Sequence, residues 1–427
     1  MTETNDKIAN EIYEEMIRIS GPHTNLTAIT KNLVGADIYG SFHFPKFTKL
    51  NAQRNILVRY KEFFIPNDLS DKTVFDFGSN LGSLSFEAAR RNAKSVIGFE
   101  FCEKRVDVCN KLSKYLELEN SVKFIQTDID NETKDINAFV EKYGTVDITF
   151  CCALDAYVNK EKLYELVSKT TRDICYFETN SGISKKVFMD TMQNLGFKLV
   201  IPLGTSKSDL GYGRFSYILV KNPKILSSRP KPSENYHCLI GNHVFSYYYN
   251  EEIFNKISSY YPRIKDIKYV PKMKFINQYI ITEFYKIRLD SYDPSIEERI
   301  SIKNQLIDLI VQLNNRKLAH CDLHIKNCYL DDGILKVCDW EYIHDNNVPI
   351  ENHYDLTGKG KDIIVPEDVG KINVFSNHTC SFFFFFYGEI DLQEFIDASK
   401  KYNESVSNQE KIDKLSTNDS TIVNEIH

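Results

Sequence analysis

No apolar run in the 427-residue sequence approaches the roughly 20 residues that a helix needs to cross a bilayer. The longest, Phe382 to Tyr387, reads as a buried strand or helix and would be an aggregation hazard if exposed. A basic surplus is missing too. The 53 Lys and Arg are outnumbered by 59 Asp and Glu, giving a formal charge of −6 and a pI near 6.0. That balance offers no net attraction to a nucleic-acid backbone. The opening residues, MTETNDKIANEIYEEM, lack the basic and apolar blocks of a signal or transit peptide. Without such a signal, the ten cysteines are expected to be reduced thiols rather than a disulfide framework. No internal repeat is evident. What is present is a 42% hydrophobic chain, long enough for more than one core. These features predict a soluble, cytoplasmic, multidomain protein without a transmembrane segment.

Residues 1–72 read as a helical extension. Asn10 to Ile19 carries Ile12, Met16 and Ile19 near helical spacing. Asn51 to Phe64 is a second helical candidate, bearing Gln53, Arg54, Arg59 and Lys61. From Thr73 strands and helices alternate. Strands are expected at 73–77, 95–100, 122–127, 146–152, 173–178, 197–202 and 215–220. Helices are expected near 83–92, 103–118, 134–142, 160–169 and 183–194. This alternation predicts an α/β domain over 73–222 with a mainly parallel, seven-stranded, Rossmann-like sheet. Only GTSKSDLGYGR separates the last two strands, so they should pair as an antiparallel hairpin.

A linker is expected over 223–235, because NPKILSSRPKPS holds three prolines. Residues 236–400 read as a second, α+β domain, with strands at HVFSYYY (243–249) and QYIITEFY (278–285). Its helices are placed near 251–259 and from Ser295 to Leu318. The tail, 401–427, is rich in Ser, Asn, Lys, Asp and Glu and is expected to be disordered.

The stretch Thr73 to Gly82, TVFDFGSNLG, is a strand running into a glycine-bearing turn. In a parallel sheet a nucleoside cofactor sits beyond the carboxyl ends of the central strands. There glycines let the backbone approach it and a helix N-terminus faces it. Gly78 and Gly82 are placed for that. Glu100 ends the second strand at the offset where an acid can bond ribose hydroxyls, and Asp128 follows the third. A dinucleotide fingerprint would need glycine where Asn80 stands, and Asp76 would sit badly beside a pyrophosphate. An acid there suits a cationic amino-acid cofactor. A Rossmann-like domain with another nucleotide, or none, is the competing reading.

On these residues, over about 73–221, the chain resembles the class I S-adenosylmethionine (SAM)-dependent methyltransferases. The resemblance implies Asp76, Gly78, Asn80 and Gly82 around the methionine moiety, with Ser79 inside the turn. It further implies Glu100 on the ribose, Asp128 and Ile129 at the adenine, and Cys151 at the end of the fourth strand. After that strand, Cys151-Cys152-Ala153-Leu154-Asp155 contains neither the Asn-Pro-Pro-aromatic string of base-amino methylation nor a Pro-Cys nucleophile. Transfer to an oxygen or a phosphate needs mostly alignment. Asp155 is the candidate catalytic group, with Tyr157 and Glu178 behind it; Gln53 and Arg54 are candidates for binding an anionic acceptor or the cofactor carboxylate, with solvated surface charge as the competing reading.

The stretch His320 to Glu341, HCDLHIKNCYLDDGILKVCDWE, carries a second chemistry. Phosphoryl transfer needs a carboxylate to orient the hydroxyl and ligands that hold Mg²⁺ on the phosphates. Asp322 fits the first role, and Asn327 and Asp339 fit the second. The string resembles the catalytic segment of the aminoglycoside phosphotransferase and choline kinase group, with His324 where most protein kinases have Lys. The resemblance implies ATP and Mg²⁺ as further cofactors. Upstream the pattern thins. No lysine occurs in 243–249, and Ser246 stands near the position expected for it.

The order of domains resembles bifunctional methyltransferase–kinases that cap polysaccharides. The expected function is therefore methyl transfer to an oxygen or a phosphate, together with phosphorylation of a small-molecule or glycan hydroxyl. Two alternatives stay open: a kinase-like half that only docks or regulates, and an RNA or protein methyltransferase.

Overall fold

The computed structural model describes residues 2–30, 36–207, 214–228, 235–320, 323 and 325–345. The expected tail, the run Phe382 to Tyr387, and both Asp322 and His324 lie outside the described residues. The chain divides into two compact units, one of residues up to 225 with 239–242, the other of 226–238 and residues from 243 on.

The first unit is built on a seven-stranded sheet. Ahead of it come α1 (Thr2–Thr30), β1 (Ile38–Gly40), β2 (Ala52–Arg54) and α2 (Ile56–Glu62). Then follow β3 (Thr73–Phe77), α3 (Ser83–Arg90), β4 (Ser95–Glu100), α4 (Glu103–Tyr115) and β5 (Val122–Gln126). Next are α5 (Ile129–Glu132), α6 (Ile136–Tyr143), β6 (Val146–Cys152), α7 (Lys160–Thr170) and β7 (Thr171–Glu178). The unit closes with α8 (Lys185–Asn194), β8 (Leu199–Thr205) and β9 (Phe215–Val220). Strand order is β5-β4-β3-β6-β7-β9-β8, and β9 alone runs antiparallel to its neighbours. The seven strands match the expected segments closely, and most are largely apolar along their length. That pattern marks strands buried on both faces, as in β3 and β6. Phe75, Phe77, Phe99 and Phe139 pack edge to face and stacked under the sheet, with Phe77 and Phe99 at 5.2 Å and 17°.

β3 and β6 are parallel neighbours, and the order in which the chain adds strands reverses between them, the switch point where such sheets open a crevice. Ahead of the sheet the structure differs from the expected second helix. Residues 52–54 form β2, paired in parallel with β1 through Gly40 and Arg54, and the helix begins only after Asn55. Asn55 adopts an extended backbone and its side chain accepts from Val58 N, so an N-cap interrupts what reads as one periodic segment. Gln53 and Arg54 are therefore strand residues.

The second unit holds a five-stranded sheet ordered β10-β11-β12-β14-β13. Its strands are β10 (Lys224–Ser228), β11 (Tyr236–Ile240), β12 (His243–Tyr247), β13 (Lys274–Ile276) and β14 (Tyr279–Glu283), with α9 (Glu251–Ile264) after β12. Here the Pro-rich stretch read as a linker contributes an edge strand. Its prolines flank KILSS rather than interrupt it, so its backbone can pair. The rest comprises β15 (Ile287–Arg288), α10 (Ile296–Asn315), β16 (Leu318–Ala319), the β17 (Cys328–Asp331)–β18 (Ile334–Val337) hairpin and β19 (His344–Asp345). Leu306, Leu309, Leu335, Val337 and Trp340 form its core. Among the described residues no helix is long and apolar enough to cross a membrane.

Gly82 opens α3 at φ +75, and a Cβ there would lie 2.4 Å from the Phe124 ring. Gly196 is also left-handed, at φ +97, but has open space around it. Gly82→Ala is thus expected to cost about 3 kcal/mol of stability and Gly196→Ala only about 1 kcal/mol. Denaturant unfolding checks this, and equal losses would contradict the packing argument.

Candidate active site

The turn after β3 is shaped by three consecutive demands on its backbone. Gly78 and Ser79 both donate their N–H to Phe99 O, at 2.9 and 3.0 Å, which pins the turn to β4. Gly78 is left-handed at φ +72, and a Cβ on it would press on Leu154 at 3.1 Å. Asn80 is left-handed at φ 54, a conformation asparagine tolerates better than other side-chain-bearing residues. This explains why asparagine can replace the second glycine of a dinucleotide turn. The Asn80 N–H donates to Glu100 Oε2 at 2.9 Å, while Glu100 Oε1 accepts from Cys102 N and Arg105 Nη1, both at 3.2 Å. Asp128 caps α5, accepting from Asn131 N.

These strand ends surround a cavity of about 1220 Å³. Gly78, Asn80, Glu100, Asp128 and Ile129 line it on the β3–β5 side. Beyond β6 its walls are Tyr39, Gln53, Asn180 and Arg214. The first set fits an adenosyl cofactor: a carboxylate at the β4 end for ribose hydroxyls, an apolar–acid pair after β5 for a purine, and bare backbone at Gly78.

Other expected site residues lie beneath the cavity rather than on its wall. Asp76 is fully buried and accepts from Ser85 Oγ at 2.6 Å, and burial pushes its carboxyl up to about 6. Ser79, Gly82 and Cys151 are not among the cavity-lining residues. Burial pushes the Cys151 thiol well up, and its neighbour Cys152, which does face the cavity, is pushed up to about 12. Both are therefore thiols, not nucleophilic thiolates. Asp155 is buried, and its carboxylate accepts from Tyr164 OH (3.1 Å), Asn180 N (2.6 Å) and Ser181 Oγ (2.7 Å).

Glu178, at the end of β7, is enclosed by guanidinium groups: Arg59 Nη2 at 2.7 Å, Arg214 Nη1 at 3.5 Å and Arg54 Nη1 at 3.6 Å. Burial alone would raise its carboxyl, but Arg59 first, then Arg54 and Arg214, hold it below the usual carboxylate range. Arg54 also lies over the Tyr39 ring, and Arg214 donates to Tyr39 OH at 3.0 Å and Asn180 Oδ1 at 2.9 Å. Of the two residues the sequence offered for an anionic acceptor or the cofactor carboxylate, Gln53 lines this wall while Arg54 is buried and does not, and Tyr39, Asn180 and Arg214 were not foreseen. Tyr39 and Arg214 are 175 positions apart. The pairing of β9 beside β7 was the one signal that could have joined Asn180 to Arg214.

In the second unit, Asn327 and Asp339 stand at the same end of the β17–β18 hairpin, where Cys338 N donates to Asn327 O at 2.9 Å. Asp339 has φ 61, a strained position for a side-chain-bearing residue. His320 is buried against the Trp340 ring and bonds Cys338 O at 3.0 Å. Ser246 meets His237 Nδ1 at 2.7 Å in β12, and Lys256 of α9 donates to Glu341 O at 3.4 Å.

Residues 68–197 match the family model described as a methyltransferase domain. Fold, crevice and match agree that the first unit is a methyltransferase domain of the kind that uses SAM, so the chain is an enzyme. Among solved structures, the chain is similar to a co-crystal structure of WbdD with the kinase inhibitor LY294002. Identity there is 13%, with 93% of this chain and 95% of that chain covered at a TM-score of 0.39. It is also similar to a structure of the bifunctional kinase-methyltransferase WbdD, at 14% identity, 74% and 82% coverage and a TM-score of 0.35. The N-terminal domain of EvdMO1, solved with SAH and D-fucose, matches at 14% identity, 47% and 97% coverage and a TM-score of 0.33. No curated protein matches the chain significantly.

Because burial lifts the Asp76 carboxyl from 3.8 to about 6, the folded chain keeps a proton that the unfolded chain has released between those values. Stability from this group therefore falls as pH rises from about 4 to about 6 and stays low above it. Asp76→Asn is expected to raise unfolding stability by about 2–3 kcal/mol at pH 8 and little at pH 4. Thermal melts at the two pH values check this, and a pH-independent change would contradict it.

Proposed function

We propose that the chain is a bifunctional transferase. Its first unit moves a methyl group from SAM to an anionic oxygen, best a phosphate. Its second unit uses ATP and Mg²⁺ to phosphorylate a hydroxyl of a small molecule or glycan. The observation that carries the phosphate reading is the wall of Arg214, Asn180, Tyr39 and Gln53 on the side of the cavity away from Glu100 and Asp128.

When bound, SAM supplies an electrophilic methyl group. Glu100 would hold its ribose, Asp128 and Ile129 would flank its adenine, and Gly78 would admit its methionine end. Asp76 lies below that turn. The acceptor must then be held in line with the methyl group and present a lone pair. An alcohol would need a base. The carboxylates on the acceptor side, Asp155 and Glu178, are both committed to donors of the protein, and Cys152 stays protonated. A phosphate is already ionised near neutral pH, so alignment alone suffices. The Arg214 guanidinium, with its planar set of donors, suits its oxygens.

For the second unit, Asp322 would deprotonate the hydroxyl, and Asn327 and Asp339 would hold Mg²⁺ from one end of their hairpin. A second reading, a docking or regulatory kinase-like unit, is favoured by one observation. Ser246 bonds His237 in the strand where a phosphate-clamping lysine is expected.

The test gives the full chain a panel of glycans with and without a terminal phosphate, in one reaction with methyl-labelled SAM and no ATP, and in a separate reaction with γ-labelled ATP. Methyl label should enter phosphorylated acceptors only, and should fall at least about tenfold in Arg214→Gln. Phosphoryl label should enter unphosphorylated glycans and vanish in Asp339→Ala. Methyl label in unphosphorylated acceptors or RNA alone would refute the phosphate reading. ATP binding without transfer would leave the second unit a docking module.

A further inference from the structure

Asp155 begins a chain of hydrogen bonds that ends inside the cavity. It follows β6 and is 3% exposed. Its Oδ1 accepts from Asn180 N at 2.6 Å, and its Oδ2 from Ser181 Oγ and Tyr164 OH at 2.7 and 3.1 Å. That fixes the backbone of the segment leaving β7. The same segment is tied to β9 by the bond from Thr179 N to Phe215 O at 2.9 Å. The Asn180 side chain then turns into the cavity, and its Oδ1 accepts from Arg214 Nε at 2.9 Å. The far end of that guanidinium reaches Tyr39 OH at 3.0 Å and Glu178 Oε1 at 3.5 Å. A guanidinium is a planar fork whose usefulness depends on its orientation, and here Nε sets the plane through Asn180.

We propose that Asp155 is a positioning residue for the acceptor: through the Asn180 backbone and side chain it aims Arg214 at the anionic oxygens of the methyl acceptor. This role rests on the phosphate-acceptor reading given above. It gives Asp155 no proton to move. It makes Arg214 the group that meets the acceptor, and Asn180 the link that conveys the orientation.

The full chain, loaded with S-adenosylhomocysteine, is titrated calorimetrically with inorganic phosphate as the probe anion. Variants are Asp155→Ala, the milder Asp155→Asn, Arg214→Gln and the double variant Asp155→Ala with Arg214→Gln. Phosphate affinity should fall about tenfold in Asp155→Ala and in Arg214→Gln, and about threefold in Asp155→Asn, which keeps an acceptor for Asn180 N. The double variant should bind no more weakly than Arg214→Gln, within about twofold, because both act on one contact. Affinity for S-adenosylhomocysteine should change less than about twofold throughout, which also reports that each variant is folded. Two outcomes overturn the positioning role: Asp155 variants that keep wild-type phosphate affinity while Arg214→Gln loses it, or losses that simply add. A different outcome, wild-type protein that binds S-adenosylhomocysteine but no phosphate, refutes the phosphate-acceptor reading itself and the role built on it.

Discussion

Glu178 is the carboxylate on which one wall of the cavity in the first unit depends. It sits fully buried at the end of β7 and meets Arg54 from β2, Arg59 from α2 and Arg214 from the start of β9. One charge thus ties the segment ahead of the sheet to two neighbouring strands, across 119 residues in the case of Arg59. Removing such a partner leaves an uncompensated buried charge and typically costs about 3–5 kcal/mol. The same cluster that fixes β1 and β2 against the sheet also puts Tyr39, Gln53 and Arg214 around the cavity. The arginines that hold this segment together are therefore also the charges nearest this wall of the cavity.

The cofactor side shows the opposite economy, with strain and burial in place of charge clusters. Gly78, Asn80 and Gly82 all take left-handed backbone within one turn, and Ala153 does so at the end of β6. Asp76 is held beneath that turn with its carboxyl raised by burial. The glycines take this backbone without strain, whereas Asn80, Ala153 and the buried Asp76 are each unfavourable for folding taken alone and lie where a ligand would enter, a pattern common at functional sites. The expected gain in stability on neutralising Asp76 is the measurable face of that arrangement.

Much of this was legible in the sequence. The strands of the first sheet are largely apolar, and Glu100 and Asp128 fall at or just after the ends of β4 and β5, so one wall of the cavity could be read from spacing. The opposite wall could not, since it joins residues from β1, β2, the segment after β7 and the residue before β9, and only the fold brings them together. Two local readings failed for identifiable reasons. Asn55 caps a helix inside an apparently continuous periodic segment, and the prolines around KILSS flank a strand instead of breaking one. In the second unit the motif named Asn327 and Asp339, but the hairpin that brings them to one end was not read from it, nor were the bonds of Ser246 to His237 and of Lys256 to Glu341.

The central claim is that the crevice between Gly78, Glu100 and Asp128 is a SAM site. Its most direct test is a calorimetric titration of the full chain with SAM, repeated with Glu100→Gln. The account predicts saturable binding at one site per chain, weakened at least about tenfold by the substitution. No binding to the intact chain, or binding indifferent to Glu100→Gln, would contradict it.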